Sequence, residues 1–126
     1  MQQHGAVPLI NYGDIFWVAA DESIGAISGS PHPHVVVQGD VLNHSRITTV
    51  VVCSLSSNLK RASEPGVVLL DAGEGGLERQ SVVISSQVSS ISKDRLGDRI
   101  GSLSSQRVDQ VIAALRFLQA SHIRGR

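Results

Sequence analysis

Apolar residues along the 126-residue chain come in short bursts whose period changes only near the end. Asp14-Ile15-Phe16-Trp17-Val18-Ala19, opened by Gly13, reads as a first strand. His34-Val35-Val36-Val37-Gln38, β-branched and bracketed by Pro33 and Gly39, reads as a second. Ile47 to Ser54 is the strongest strand signal, and Gly66–Leu70 and Ser81–Ile84 add two more. Between those last two, Ala72-Gly73-Glu74-Gly75-Gly76 supplies turn chemistry. The strands lie too close together for crossover helices, so an antiparallel barrel is expected rather than a parallel sheet. From Val108 the spacing becomes helical: Val108, Val111, Ile112, Leu115 and Leu118 form one stripe, with Ser104 or Ser105 able to cap its start. Lys93-Asp94-Arg95-Leu96 reads as a short helical turn before that helix.

What lies between the bursts sets the organisation. Residues 1–12 look like an irregular extension, 13–121 like one domain, and 122–126 like a tail. Asp21 to Pro33 is rich in Gly, Ser and Pro, and reads as a long exposed loop of the kind that often carries function. Aromatic residues are only 3% of the chain, so Val, Ile and Leu must fill the core. A core so lean can leave apolar faces for a second copy to cover, and a homodimer is expected.

The formal net charge is zero, which argues against a nonspecific polyanion binder, but the charges are segregated. Residues 1–45 hold Asp14, Asp21, Glu22 and Asp40 and no Lys or Arg; the remainder holds eleven basic residues against seven acids. Any cation offered by the first part must therefore be a protonated histidine, and His4, His32, His34 and His44 all lie there. The single cysteine, Cys53, excludes an internal disulfide and suits a reducing compartment; inside a Val-rich strand it reads as a buried apolar residue. No apolar run approaches the ~20 residues of a membrane span. No secretory signal is visible either, so a soluble cytoplasmic protein is expected.

Several stretches, taken in order, resemble one family. Gly13-Asp14-Ile15-Phe16-Trp17-Val18 looks like an opening strand of the MazF/PemK/Kid toxins. His32-Pro33-His34-Val35-Val36-Val37-Gln38 falls where members carry Arg-Pro-x-Val-x-Val, or Arg-His-Pro-His-Val-Val in one subgroup. Val52-Cys53-Ser54-Leu55-Ser56-Ser57-Asn58 sits where members end a strand in a Thr-Ser or similar pair. Ser81-Val82-Val83, Gln87 and Lys93-Asp94-Arg95-Leu96-Gly97 complete the likeness. The resemblance implies a small SH3-like barrel closed by a C-terminal helix. It also implies a homodimer, inhibition by a small acidic antitoxin, and cleavage of single-stranded messenger RNA through attack of a ribose 2′-OH, with no metal or other cofactor. Members usually supply an arginine just before the loop's proline; here that place is held by His32, or by Pro31 on the subgroup template. The acid that many members carry earlier in the loop falls near Ile27.

The candidate catalytic residues are accordingly His32, Ser56 and His34. Residues two apart on an extended chain point to the same side, so His32 and His34 can serve as a neutral base and a cationic acid. Ser56 keeps the hydroxyl that can donate to a phosphate oxygen. Candidate RNA-binding residues are Ser57, Asn58, Lys60, Arg61 and Gln87: the basic pair for the RNA backbone, Gln87 for a base edge. Each has a bland reading as strand-exit, ladder-end or solvated surface chemistry. Two further classes of function stay open, a silent relative that binds RNA or antitoxin without cutting, and a toxin acting on a protein such as DNA gyrase, as the CcdB toxins do. A metal site from His32, His34 and His44 lacks a supporting third ligand or cysteine pair.

Overall fold

The structure, a computed structural model, describes residues 9–19 and 30–124. Six strands, β1 (Asp14–Val18), β2 (His32–Val36), β3 (Thr49–Ser56), β4 (Val67–Leu70), β5 (Ser81–Ser92) and β6 (Leu96–Ser102), form one sheet. Their spatial order is β4-β5-β3-β2-β1-β6, and every neighbouring pair is antiparallel. A short helix α1 (Asp40–Asn43) follows β2, and α2 (Ser105–Arg124) ends the described chain. The expected mainly antiparallel fold with a C-terminal helix is what the chain forms.

Strand alternation divides the core in two. The register Ile15↔Val35↔Cys53 puts these three side chains on one face, where they pack with Val83 and with Val108 and Val111 of α2. Phe16, Val36 and Val52 turn to the opposite face and join Ile10, Val50, Ile91 and Leu96 in a second cluster. Both faces of the sheet's centre are thus buried, which is why the middle of β3 is apolar without interruption. The helix is positioned as its stripe predicts. Ser104 Oγ accepts the Arg107 N–H at 3.2 Å, capping the first turn, and Ile112 and Leu115 pack against the first cluster.

Three features differ from the sequence reading, each for a physical reason. First, β6 has no clear strand signal in the sequence, because Leu96-Gly-Asp-Arg-Ile-Gly-Ser is a glycine- and charge-bearing edge strand that joins β1 through two register shifts. The short turn foreseen at Lys93 does form, immediately before it. Second, β5 runs on to Ser92. Its pairing with β3 jumps from Cys53↔Val88 to Ser54↔Ile84, so Ser85, Ser86 and Gln87 form a bulge that bends the strand. Third, the sheet is open: β4 and β6 are its two edges and do not pair. β2 begins at His32, two residues earlier than the sequence suggested, and most of the expected Asp21–Pro33 loop lies outside the described residues.

The connection from β4 to β5 lies against the β6 edge instead. Gly76 has φ +80°, and a Cβ there would stand 2.5 Å from the Ile100 carbonyl oxygen. A Cβ on Gly101 would stand 2.2 Å from the Gly75 oxygen. Only bare backbone permits this approach. Arg107 fastens the same connection to α2 through two bonds to Glu74, at 2.9 and 2.8 Å. This pairing holds the Glu74 carboxyl below its usual range.

Candidate functional site

Where the ends of β2 and β3 meet the β4–β5 connection, an open cleft of about 550 Å³ indents the surface. β2 brings His32 and Pro33 to its rim; β3 brings Leu55 and Ser56, followed by Ser57; β1 brings Trp17. The β4–β5 connection brings Leu77, Glu78 and Arg79 to the remaining wall, the start of β5 brings Ser81, and β6 brings Ile100. His32 and Ser56 therefore lie on one cleft.

The hydroxyl of Ser56 is already oriented. Its Oγ accepts the Asn58 N–H at 3.0 Å, which leaves its own O–H to donate elsewhere. Asn58 spends its Oδ1 on the Lys60 N–H at 3.2 Å, capping the short 3₁₀ turn that follows. Ser57 lines the cleft, whereas Lys60 is exposed beyond it. Arg61 is paired with Glu64 at 2.9 and 3.1 Å, an exposed pair of the kind that adds little stability.

His32 is exposed, while His34 is half-buried and not among the residues lining the cleft. The Nδ1 of His34 lies 3.0 Å from the His32 carbonyl oxygen. A carbonyl can only accept, so Nδ1 carries the proton and Nε2 keeps a lone pair. Burial lowers the pKa of this imidazole and favours its neutral form. His34 sits opposite Ser54, whose hydroxyl donates to Gln87 Oε1 across the bulge of β5. That bond turns the Gln87 amide so that its NH₂ group remains a donor. Among the described residues no three His, Cys, Asp or Glu side chains cluster as metal ligands. Burial pushes the Cys53 thiol up to about 12, as befits its core position.

Trp17, Glu78 and Arg79 are cleft residues that the sequence does not mark as functional. Trp17, in an apolar run, reads as core but is 42% exposed, so its ring is open to the cleft. Glu78 and Arg79 sit in a connector that carries no motif, and only the folding of that connector against β6 brings them to Ser56. The length of the Gly-rich turn was the one available hint.

Known proteins share this arrangement of elements. The model of the PemK-like, MazF-like toxins of type II toxin–antitoxin systems matches residues 11–118. Endoribonuclease EndoA of Bacillus subtilis is 31% identical over 109 residues, covering 86% of this chain and 93% of that protein. Endoribonuclease MazF6 of Mycobacterium tuberculosis is 32% identical over 108 residues, covering 86% and 95%. Among solved structures, MazE–MazF from Deinococcus radiodurans superposes with a TM-score of 0.74 at 19% identity, covering 90% of this chain and 97% of that one. With a family match over most of its length and two relatives above 30% identity, the chain belongs to the PemK-like, MazF-like toxin family of type II toxin–antitoxin systems.

Proposed function

We propose that the protein is a toxin that cuts single-stranded RNA at the His32–Ser56 cleft, without a metal. The observation that carries this is the placement of a histidine and a serine hydroxyl on one open cleft, in a chain whose relatives are named endoribonucleases. In the reaction the ribose 2′-oxygen bonds to the adjacent phosphorus and the bond to the 5′-oxygen breaks. The products are a 2′,3′-cyclic phosphate and a 5′-hydroxyl. One proton leaves the 2′-OH and one reaches the departing 5′-oxygen. His32 handles proton transfer, and Ser56 donates to a phosphate oxygen as charge builds there. His34 acts through His32, holding its backbone by the Nδ1 contact. Trp17 offers a face on which a base can stack, Ser57 lines the RNA path, and Lys60 and Gln87 extend it.

The partners follow the same reading. A small acidic antitoxin, suited to the basic balance beyond Arg46, covers the cleft as MazE accompanies MazF in the Deinococcus structure. Two copies form a dimer, for which the exposed Leu9, Val41, Leu42 and Ile47 offer apolar surface. Among the described residues no helix is long and apolar enough to cross a membrane, and a cytoplasmic location is part of the proposal.

The test incubates purified protein with a long single-stranded RNA, with and without EDTA, and maps the ends. Cleavage indifferent to EDTA, leaving cyclic phosphate and 5′-hydroxyl ends, is expected. His32→Ala should cost roughly 10²–10⁴ in rate. Ser56→Ala should cost about 10²–10³. EDTA-sensitive cleavage would restore a metal mechanism. No cleavage at pH 6 or pH 8, with RNA still bound, would favour the silent relative.

A further inference from the structure

We infer that Arg79 is a phosphate-binding residue of this cleft, the guanidinium that grips RNA beside Ser56. The inference rests on the RNA-cutting reading above. Attack on a phosphodiester adds charge to the phosphorus centre, and a neutral hydroxyl such as that of Ser56 balances little of it. A guanidinium can chelate two phosphate oxygens at once and stays charged at any working pH. Among the described residues Arg79 is the one arginine lining the cleft.

Its surroundings keep it available. Arg61, Arg99 and Arg107 are each engaged by a carboxylate, and Arg95 donates to the Ala19 carbonyl. Arg79 makes no such contact among the described residues. Its backbone, by contrast, is held: the Ser81 hydroxyl donates to the Arg79 carbonyl at 2.9 Å, and Ser81 is itself buried at the start of β5. Three residues beyond Arg79, Val82 pairs directly with Ser56 of β3. The strand register thus fixes where Arg79 leaves the sheet relative to the Ser56 hydroxyl. A rigid base with an uncommitted cation is what a phosphate clamp needs. The segregated sequence explains why the cation comes from here: no Lys or Arg precedes Arg46, so the β1–β2 side of the cleft has none to give.

The experiment compares the full-length protein with Arg79→Ala, Arg79→Lys and, as an off-cleft cation control, Arg116→Ala. Cleavage of a long mixed-sequence single-stranded RNA gives the rate. Binding of a fluorescein-labelled, mixed-sequence 2′-O-methyl RNA, which lacks the attacking hydroxyl, is measured across salt concentrations. Arg79→Ala should lose about 10²–10³ in cleavage rate. It should also flatten the slope of log affinity against log salt by about 0.7, the signature of one lost phosphate contact on a single strand. Arg79→Lys should restore the slope but only part of the rate, since an ammonium cannot chelate in two-point fashion. Arg116→Ala should change neither. Arg79→Ala that cleaves within twofold of the unmodified protein, with an unchanged slope, overturns the inference. If the unmodified protein cuts no RNA, the endonuclease reading fails on its own, and the salt slope still decides whether Arg79 holds phosphate.

Discussion

Gly101→Ala puts the close approach between the β4–β5 connection and β6 to a direct test. The added methyl would meet the Gly75 carbonyl oxygen at 2.2 Å, where ordinary contact begins at 3.4 Å. The gap is about 1.2 Å, and the atom in the way is backbone, so no side-chain rotation relieves it. Either β6 or the connection must retreat. If β6 moves, its pairing with β1 at Ile15↔Gly101 loosens beside the buried Ile15; if the connection moves, Leu77 leaves its place in the core. Overpacking of this kind costs about 1–3 kcal/mol. At this chain length each kcal/mol lowers the melting temperature by roughly 4 °C, so thermal unfolding by circular dichroism should show a drop of roughly 4–12 °C. Gly39→Ala is the control, since nothing lies within 4 Å of a Cβ there and it should melt within about 2 °C of the parent. RNA cleavage by Gly101→Ala, measured well below its melting point, should fall as well, because Gly76 to Arg79 form a wall of the cleft. A Gly101→Ala protein that melts and cleaves like the parent would refute the packing that places Arg79.

The lowered pKa of His34 predicts a pH effect on stability. The unfolded chain takes up this proton more readily than the folded one, so the stability is fully present above the ordinary histidine value near ~6.5 and is lost as pH falls below it. His34→Gln should therefore show a shallower fall in melting temperature between pH 7 and pH 5; an identical profile would count against the assignment. Cys53 should stay unreactive toward a thiol reagent at pH 8 until the protein is unfolded, since burial raises its pKa to about 12; rapid native labelling would contradict that. Ser104→Ala removes the cap of α2 and should cost about 1 kcal/mol in a urea titration, with Ser104→Asp close to neutral.

Much of the fold was legible because it depends on local periodicity. The β-branched, apolar bursts of β1 to β4 and the helical stripe from Val108 are each marked plainly in the sequence. β6 was not legible, because an edge strand with glycines at 97 and 101 has little apolar alternation to show. Those glycines serve tertiary contacts: Gly101 admits the Gly75 carbonyl, and a Cβ on Gly97 would come within 3.0 Å of the Trp17 carbonyl. The open edge of the sheet was hidden for the same reason, since what covers it is a turn with positive φ rather than a strand.

The site divides along the same line. His32 and Ser56 lie at the ends of adjacent central strands, so register alone brings their strand ends together, and motif order in the sequence could find both. Glu78 and Arg79 reach the cleft only through a chain of long-range conditions: the glycine approach to β6, the Arg107–Glu74 bonds to α2, and the pairing of Val82 with Ser56. None of these has a local signature. The charge segregation did carry the missing information in a negative form. A first third without Lys or Arg has only histidines to set against a phosphate, so a permanent cation has to come from a later element that folds back upon it. The sequence states that requirement; only the packing of the β4–β5 connection brings Arg79 to the cleft where it can be met.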